Sequence, residues 1–179
     1  PNPDFILITD IHGDHLNNET VDSLATQNTV IVAPTAAKKQ LDVNYKEDIV
    51  YLGNQETVTI KDMKIEAIPM YNLTEERKKY HPKGRGNGYV LTLGENRIYI
   101  SGDTEDIPEM RNLENIDIAF LCMNLPYTMS IEQAEKAVLE FQPKIVYPYH
   151  FRGSDVETFQ KRVEEKSNID VRILNWYPE

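Results

Sequence analysis

Four side chains able to bind a divalent cation fall within six residues of this sequence: Asp10, His12, Asp14 and His15. Two of the chain's four histidines sit in that window. Imidazole nitrogen and carboxylate oxygen are the donors that a hydrolytic divalent metal takes. Gly13 is small enough to let the backbone bend so that alternate side chains converge. Asp14 also has an ordinary reading, as the cap of a following helix. Two imidazoles set among carboxylates have no comparable use in a solvated loop, so the ligand reading leads.

The cluster needs elements to hold it. Phe5-Ile-Leu-Ile8 is a continuous apolar run of strand length, suited to a strand covered on both faces. Similar polar residues close apolar strand-like runs further on: Asn72, then Asp103, then His150. Loops at one edge of a sheet scaffold are where functional groups collect. Taken singly, Asp103 in Gly102-Asp103-Thr104 reads as a turn residue, and His150 as a satisfied core histidine. On residue type and placement alone both readings stay open.

The 179 residues suit one domain, 1–179, with a sizeable core. A formal charge of −10 argues against a nucleic-acid partner or an anionic membrane surface, which need basic protein. It leaves room for a small anionic substrate, because bound cations invert the local field. No apolar run approaches membrane-span length. The single cysteine, Cys122, lies in an apolar run and reads as a buried thiol, so redox compartment and localisation stay open, as does homo-oligomerisation. The chain starts Pro1-Asn2-Pro3-Asp4 and enters a strand almost at once.

Periodicity predicts a helix over 17–26, a strand over 29–33, a short helix from Pro34 to Leu41 and a strand over 49–52. Hairpins follow at 56–68, turning at Lys61-Asp62, and at 89–100, turning at Gly94-Glu95-Asn96. Residues 73–88, basic and closing in glycines, read as an inserted loop. A helical turn at 108–113 and a strand over 116–122 come next. A helix over 130–141 is capped by Ser130, with Ala134, Ala137, Val138 and Phe141 on one face. A strand over 145–147, a helix from Asp155 to about Lys166 and a strand over 171–174 end the chain. Hairpins first and then alternating strands and helices point to an α/β fold with helices outside a central β structure.

Asp10-x-His12-x-Asp14-His15 after an apolar strand resembles the His-x-His-x-Asp-His signature of the metallo-β-lactamase superfamily, with Asp10 replacing the first histidine. The resemblance implies an αββα sandwich, here lacking its N-terminal strands, and a binuclear metal site. Gly102-Asp103-Thr104 resembles the bridging aspartate of that family, and Tyr149-His150 its final histidine. Carried over, Asp14, His15 and His150 hold one ion, Asp10 and His12 the other, and Asp103 bridges them. The place of a third-motif histidine carries Asn72, which leaves its ligation open. Zinc is the metal implied. The oxygen-rich Asp10 site leans towards Mn²⁺ or Mg²⁺, and the Asp14 site is expected to be the tighter.

The implied reaction is hydrolysis by a hydroxide formed from water between two metals, with Asp14 orienting it and Asp103 balancing charge. The expected substrate is an ester or lactone carrying an anionic group, as in lactonase-like branches. Phosphodiester cleavage and a non-catalytic metal-holding domain are the alternatives. On the substrate side, His81, Lys83 and Arg85 stand in a glycine-rich basic loop that could meet an anion or be plain surface. Tyr127 and Arg152 are further candidates.

Overall fold

A computed structural model of the chain describes residues 2–44 and 49–176. The described residues form two sheets. The smaller is parallel, in the order β1 (Phe5–Leu7), β2 (Val30–Pro34), β3 (Ile49–Leu52). The larger is mixed and runs β10 (Asp170–Val171), β9 (Ile145–Tyr149), β8 (Ile118–Cys122), β7 (Asn96–Ile100), β6 (Gly86–Leu93), β5 (Met63–Met70), β4 (Thr57–Ile60).

Side-chain alternation along β2 explains the layering. Ile31 and Ala33 face one way, against Val21 of helix α1 (Asn18–Leu24) and Ala37 of a 3₁₀ turn (Thr35–Lys39). Val32 faces the other way and packs with Leu52 against Ile65, Ala67 and Tyr89 of the larger sheet. Strands buried on both faces carry continuous apolar runs, as Val30–Pro34 does. On its far side the larger sheet buries Val90, Tyr99, Ala119, Leu121 and Val146 beneath α2 (Pro108–Arg111), α3 (Ile131–Phe141) and α4 (Val156–Glu164). The order of layers is helix, sheet, sheet, helix, the αββα sandwich that the resemblance implied.

Local signals account for the helix ends. Ser130 accepts from the Gln133 amide, and the Gln133 side chain returns to the Ser130 N–H, a reciprocal cap worth about 1 kcal/mol. α3 stops at Gln142, which adopts φ 49° ahead of Pro143. Asn17, rather than Asp14, caps α1. That leaves Asp14 free of a capping role.

Two expectations needed correction. The inserted loop is shorter than its polar composition suggested, because Gly86-Asn87-Gly88 belongs to β6. These glycines serve close packing rather than anion capture. A Cβ on Gly88 would lie 2.8 Å from the Ser101 carbonyl oxygen, and one on Gly86 2.8 Å from that of Thr9. The last strand shrinks to Asp170–Val171, where Asp170 and Val171 pair with Ile145 and Val146.

Candidate metal centre

All four histidines meet where β1, β5, β7 and β9 end. Ligand atoms of Asp14, His15, Asp103 and His150 lie within 4.8 Å of one another, and so do those of Asp10, His12 and His81. His15 Nε2 lies 3.2 Å from Asp103 Oδ2, and His81 Nε2 lies 3.3 Å from the same oxygen, so Asp103 joins the two groups. On the outer side His150 Nε2 is 3.1 Å from Asp14 Oδ2.

Local backbone aims two of these side chains, Asp103 and His150. Gly102 takes φ +62° and sits against Met70, where a Cβ would meet the Met70 side chain and lie 3.2 Å from the Asn87 carbonyl oxygen. Only glycine adopts that turn without strain, and it delivers Asp103 inward. His150 itself has φ 47°, a left-handed residue directly after β9. Such residues persist where the surroundings over-determine them, and they cluster at functional sites.

Neighbours hold the carboxyls ionised. Burial would raise the Asp103 carboxyl, but His15 and His81 beside it bring it well below the usual carboxylate range. Burial likewise opposes ionisation of Asp14, and His150 and then His15 outweigh it, for a net lowering. For His15 burial works downward, whereas the contact with Asp103 and the charges of Asp103, Asp14 and Asp10 carry it above the ordinary imidazole value. Burial takes His12 below that value; Asp10 opposes this and Arg85 adds to it.

Two atoms test whether a metal fits. Asp103 Oδ1 is buried with no hydrogen-bond partner among the described residues, and buried His15 Nε2, though 3.2 Å from Asp103 Oδ2, makes no well-aligned hydrogen bond. Unsatisfied buried polar atoms are costly and rare, and both belong to the group around Asp14. A divalent cation would satisfy both, and the donor set of nitrogens and oxygens is one that such ions accept. The residues therefore fit a metal.

A second set of residues fixes the ring orientations. His15 Nδ1 is 2.7 Å from the Thr9 hydroxyl, leaving Nε2 for the centre. His81 Nδ1 is 3.1 Å from the Tyr127 carbonyl oxygen. A carbonyl only accepts, so Nδ1 carries a proton and Nε2 is the nitrogen turned to the centre, where in the neutral ring it could serve an ion. Asn72 lies behind this ring: its amide donates to the carbonyls of Arg77 (3.0 Å) and Tyr127 (2.7 Å) and approaches His81 Nδ1, the nitrogen turned from the centre. The loop carrying both residues is pinned by the fully buried Glu105, which accepts from the N–H groups of Leu73 and Thr74 (2.6 Å each), the Thr74 hydroxyl and Arg77.

The structure redistributes several predicted roles. His81 joins Asp10 and His12 and takes the place expected of Asn72. The interval between Asn72 and His81 hid this from the sequence, although a fourth histidine in a chain whose other three mark one centre was the available signal. Arg85 turns to Asp10, with Nε 3.0 Å from Oδ1 and Nη2 2.8 Å from Oδ2, so it is committed inward and does not face a ligand. Lys83 is drawn off to Glu109 at 2.8 Å and to the Tyr71 hydroxyl. Tyr127 and Arg152 do line the cavity over the centre, together with Tyr80, Asn124 and Tyr149; its volume is about 1040 Å³. Thr9, Glu105 and Asn124 were missed, since single residues of common polar types carry no spacing signal.

Residues 1–151 match the sequence profile of the beta-lactamase superfamily domain. The chain belongs to the metallo-β-lactamase superfamily. Relatives include a metal-dependent hydrolase of Nanoarchaeum equitans, 30% identical, with 98% of this chain and 84% of that protein aligned. One from Pyrococcus horikoshii is 28% identical across 93% of this chain and 76% of its own length. Among solved structures, a protein of Parabacteroides distasonis described as a metal-dependent hydrolase superposes with a TM-score of 0.89. It is 47% identical and spans 97% of this chain and 76% of that one. This superfamily member is an enzyme, a metal-dependent hydrolase with the metallo-β-lactamase fold.

Proposed function

We propose that this hydrolase opens an ester or lactone in a small anionic molecule, using two divalent ions. The observation that carries the reading is the cavity: both ligand groups open into it, and Arg152 is the only lysine or arginine among its described lining residues. A volume of about 1040 Å³ suits a small molecule. Tyr80 and Tyr127, edge to face at 5.0 Å, offer an aromatic wall.

The residues divide the work. Asp14, His15, His150 and Asp103 would hold one ion, and Asp10, His12 and His81, again with Asp103, the other. Bound there, the ions would supply Lewis acidity and an activated water. Asp14, more exposed than Asp103, lines the cavity and would accept a proton from an attacking water. Arg152 would meet the anionic group and Tyr127 would pack against the substrate body. With His81 as its third member, the Asp10 group has two imidazoles and one carboxylate and is less oxygen-rich than the sequence implied. That set favours a transition metal, Zn²⁺ or Mn²⁺, over Mg²⁺.

The first test is metal content by elemental mass spectrometry, beside turnover of lactone and phosphodiester panels with and without chelator. Two equivalents per chain and chelator-sensitive lactone opening are expected. Turnover confined to phosphodiesters would replace the bond. One tightly held ion and silence across both panels would favour a metal-holding domain, a reading supported by the engagement of Asp10 with Arg85.

A further inference from the structure

Asp10 is treated unlike the other two carboxylates of the centre. Its side chain is fully buried, and the Arg85 guanidinium meets it as a fork, Nε to Oδ1 at 3.0 Å and Nη2 to Oδ2 at 2.8 Å. Among the described residues, neither Asp14 nor Asp103 has a lysine or arginine partner; their ion pairs are with histidines. A guanidinium stays charged at any working pH and offers donors only. Both oxygens of Asp10 are therefore satisfied by a cation before any metal arrives.

The same guanidinium reaches His12. Nη2 lies 3.2 Å from His12 Nε2, while His12 Nδ1 lies 2.9 Å from Asp10 Oδ2. The ionised Asp10 carboxylate only accepts, so the neutral ring carries its proton on Nδ1 and gives it to Asp10. Its Nε2 lone pair faces Nη2, whose two N–H bonds are shared among Asp10, Tyr80 and His12. An ion held by this group needs the lone pair of Nδ1, the nitrogen beside Asp10. The ring proton would then move to Nε2 and confront the guanidinium, donor against donor. Arg85 cannot keep its present contacts while His12 and Asp10 ligate. The same Nη2 also donates to the Tyr80 carbonyl oxygen, beside His81 in the chain.

We propose that Arg85 is a latch that holds the Asp10–His12–His81 group closed, so that metal fills the Asp14 group first and the Asp10 group only as the guanidinium withdraws. Replacing the first motif histidine by Asp10 gives Arg85 a carboxylate to grip, and an imidazole would offer the fork no equivalent. The inference rests on both groups being metal sites, as in the reading above, but not on the substrate.

The experiment is calorimetric titration of the metal-stripped chain with Zn²⁺ and with Mn²⁺, for wild type, Arg85→Met and Arg85→Gln. Circular dichroism confirms the fold, and the glutamine variant, which keeps a donor for Asp10, carries the test if the methionine variant does not fold. Wild type is expected to show a second dissociation constant at least tenfold weaker than the first, or a second site too weak to see. Either variant should tighten the second site about tenfold or more and change the first less than threefold. A second site unchanged or weakened in the variants would overturn the latch and make Arg85 a support for Asp10. No ion bound by any of the three proteins would defeat the two-site reading of the centre as well.

Discussion

The Thr9 hydroxyl and His15 Nδ1 lie 2.7 Å apart, and this contact decides which face of the imidazole looks into the centre. Thr9 is itself tied to the larger sheet, since its carbonyl accepts from the Asn87 N–H at 2.8 Å. Partners of this kind fix the tautomer and orientation of a ligating histidine. Thr9→Val keeps the shape and removes the contact. Metal affinity of the Asp14 group should fall by about 10–100-fold, read by competition with a chromophoric chelator, while the thermal midpoint of the metal-free chain shifts by no more than a few degrees.

Glu105 is the anchor of the 72–81 loop, and its loss should be felt at His81. Glu105→Ala leaves the Leu73 and Thr74 N–H groups and Arg77 without their acceptor. Removing one partner of a buried charged network costs about 3–5 kcal/mol, measurable by urea denaturation. Glu105→Gln, which retains one acceptor oxygen, should cost less than half as much. Equal losses in the two variants would show that the charge, rather than the acceptor geometry, holds the loop.

The pH dependence of the metal-free chain should oppose that of the loaded one. His15 has a raised pKa in the fold, so its contribution to stability is complete below about 6.5 and disappears as pH rises through the folded value. Asp103 has a lowered pKa, so its contribution is present above about 4 and is lost as pH falls through its folded value. The pair stabilises the metal-free fold most between those limits. Metal requires His15 unprotonated. Thermal midpoints with chelator should therefore decline from pH 6 to 8.5, while the rise on adding metal grows over the same interval. Parallel curves with and without metal would contradict this.

On the substrate side the two lining residues should separate from the metal ligands. Arg152→Ala and Tyr127→Ala are expected to raise KM for an anionic ester about tenfold each, with metal content unchanged. Adding an anionic group to a neutral ester should improve kcat/KM in wild type and not in Arg152→Ala. If both variants lose kcat alone, they act on the reacting bond rather than on binding.

The ligand series was largely legible in the chain itself. Asp10, His12, Asp14 and His15 are local in sequence, so residue type and spacing sufficed to single them out, whereas Asp103 and His150 were singled out by the family resemblance at the ends of apolar strands. The helix caps at Ser130 and Asp155 and the burial of Cys122 followed from equally local patterns, whereas the two-sheet layering came from the family resemblance and not from periodicity. What the sequence could not decide was which polar residue of the 72–88 segment turns inward. That choice depends on Glu105, 33 residues away from Asn72 along the chain, gathering the loop so that His81 stands over Asp103. It depends also on Asp10 and Arg85 meeting across 75 residues. Ion pairs and hydrogen bonds between distant segments leave no spacing in sequence; they exist only once the sheets have packed and the water between them has gone.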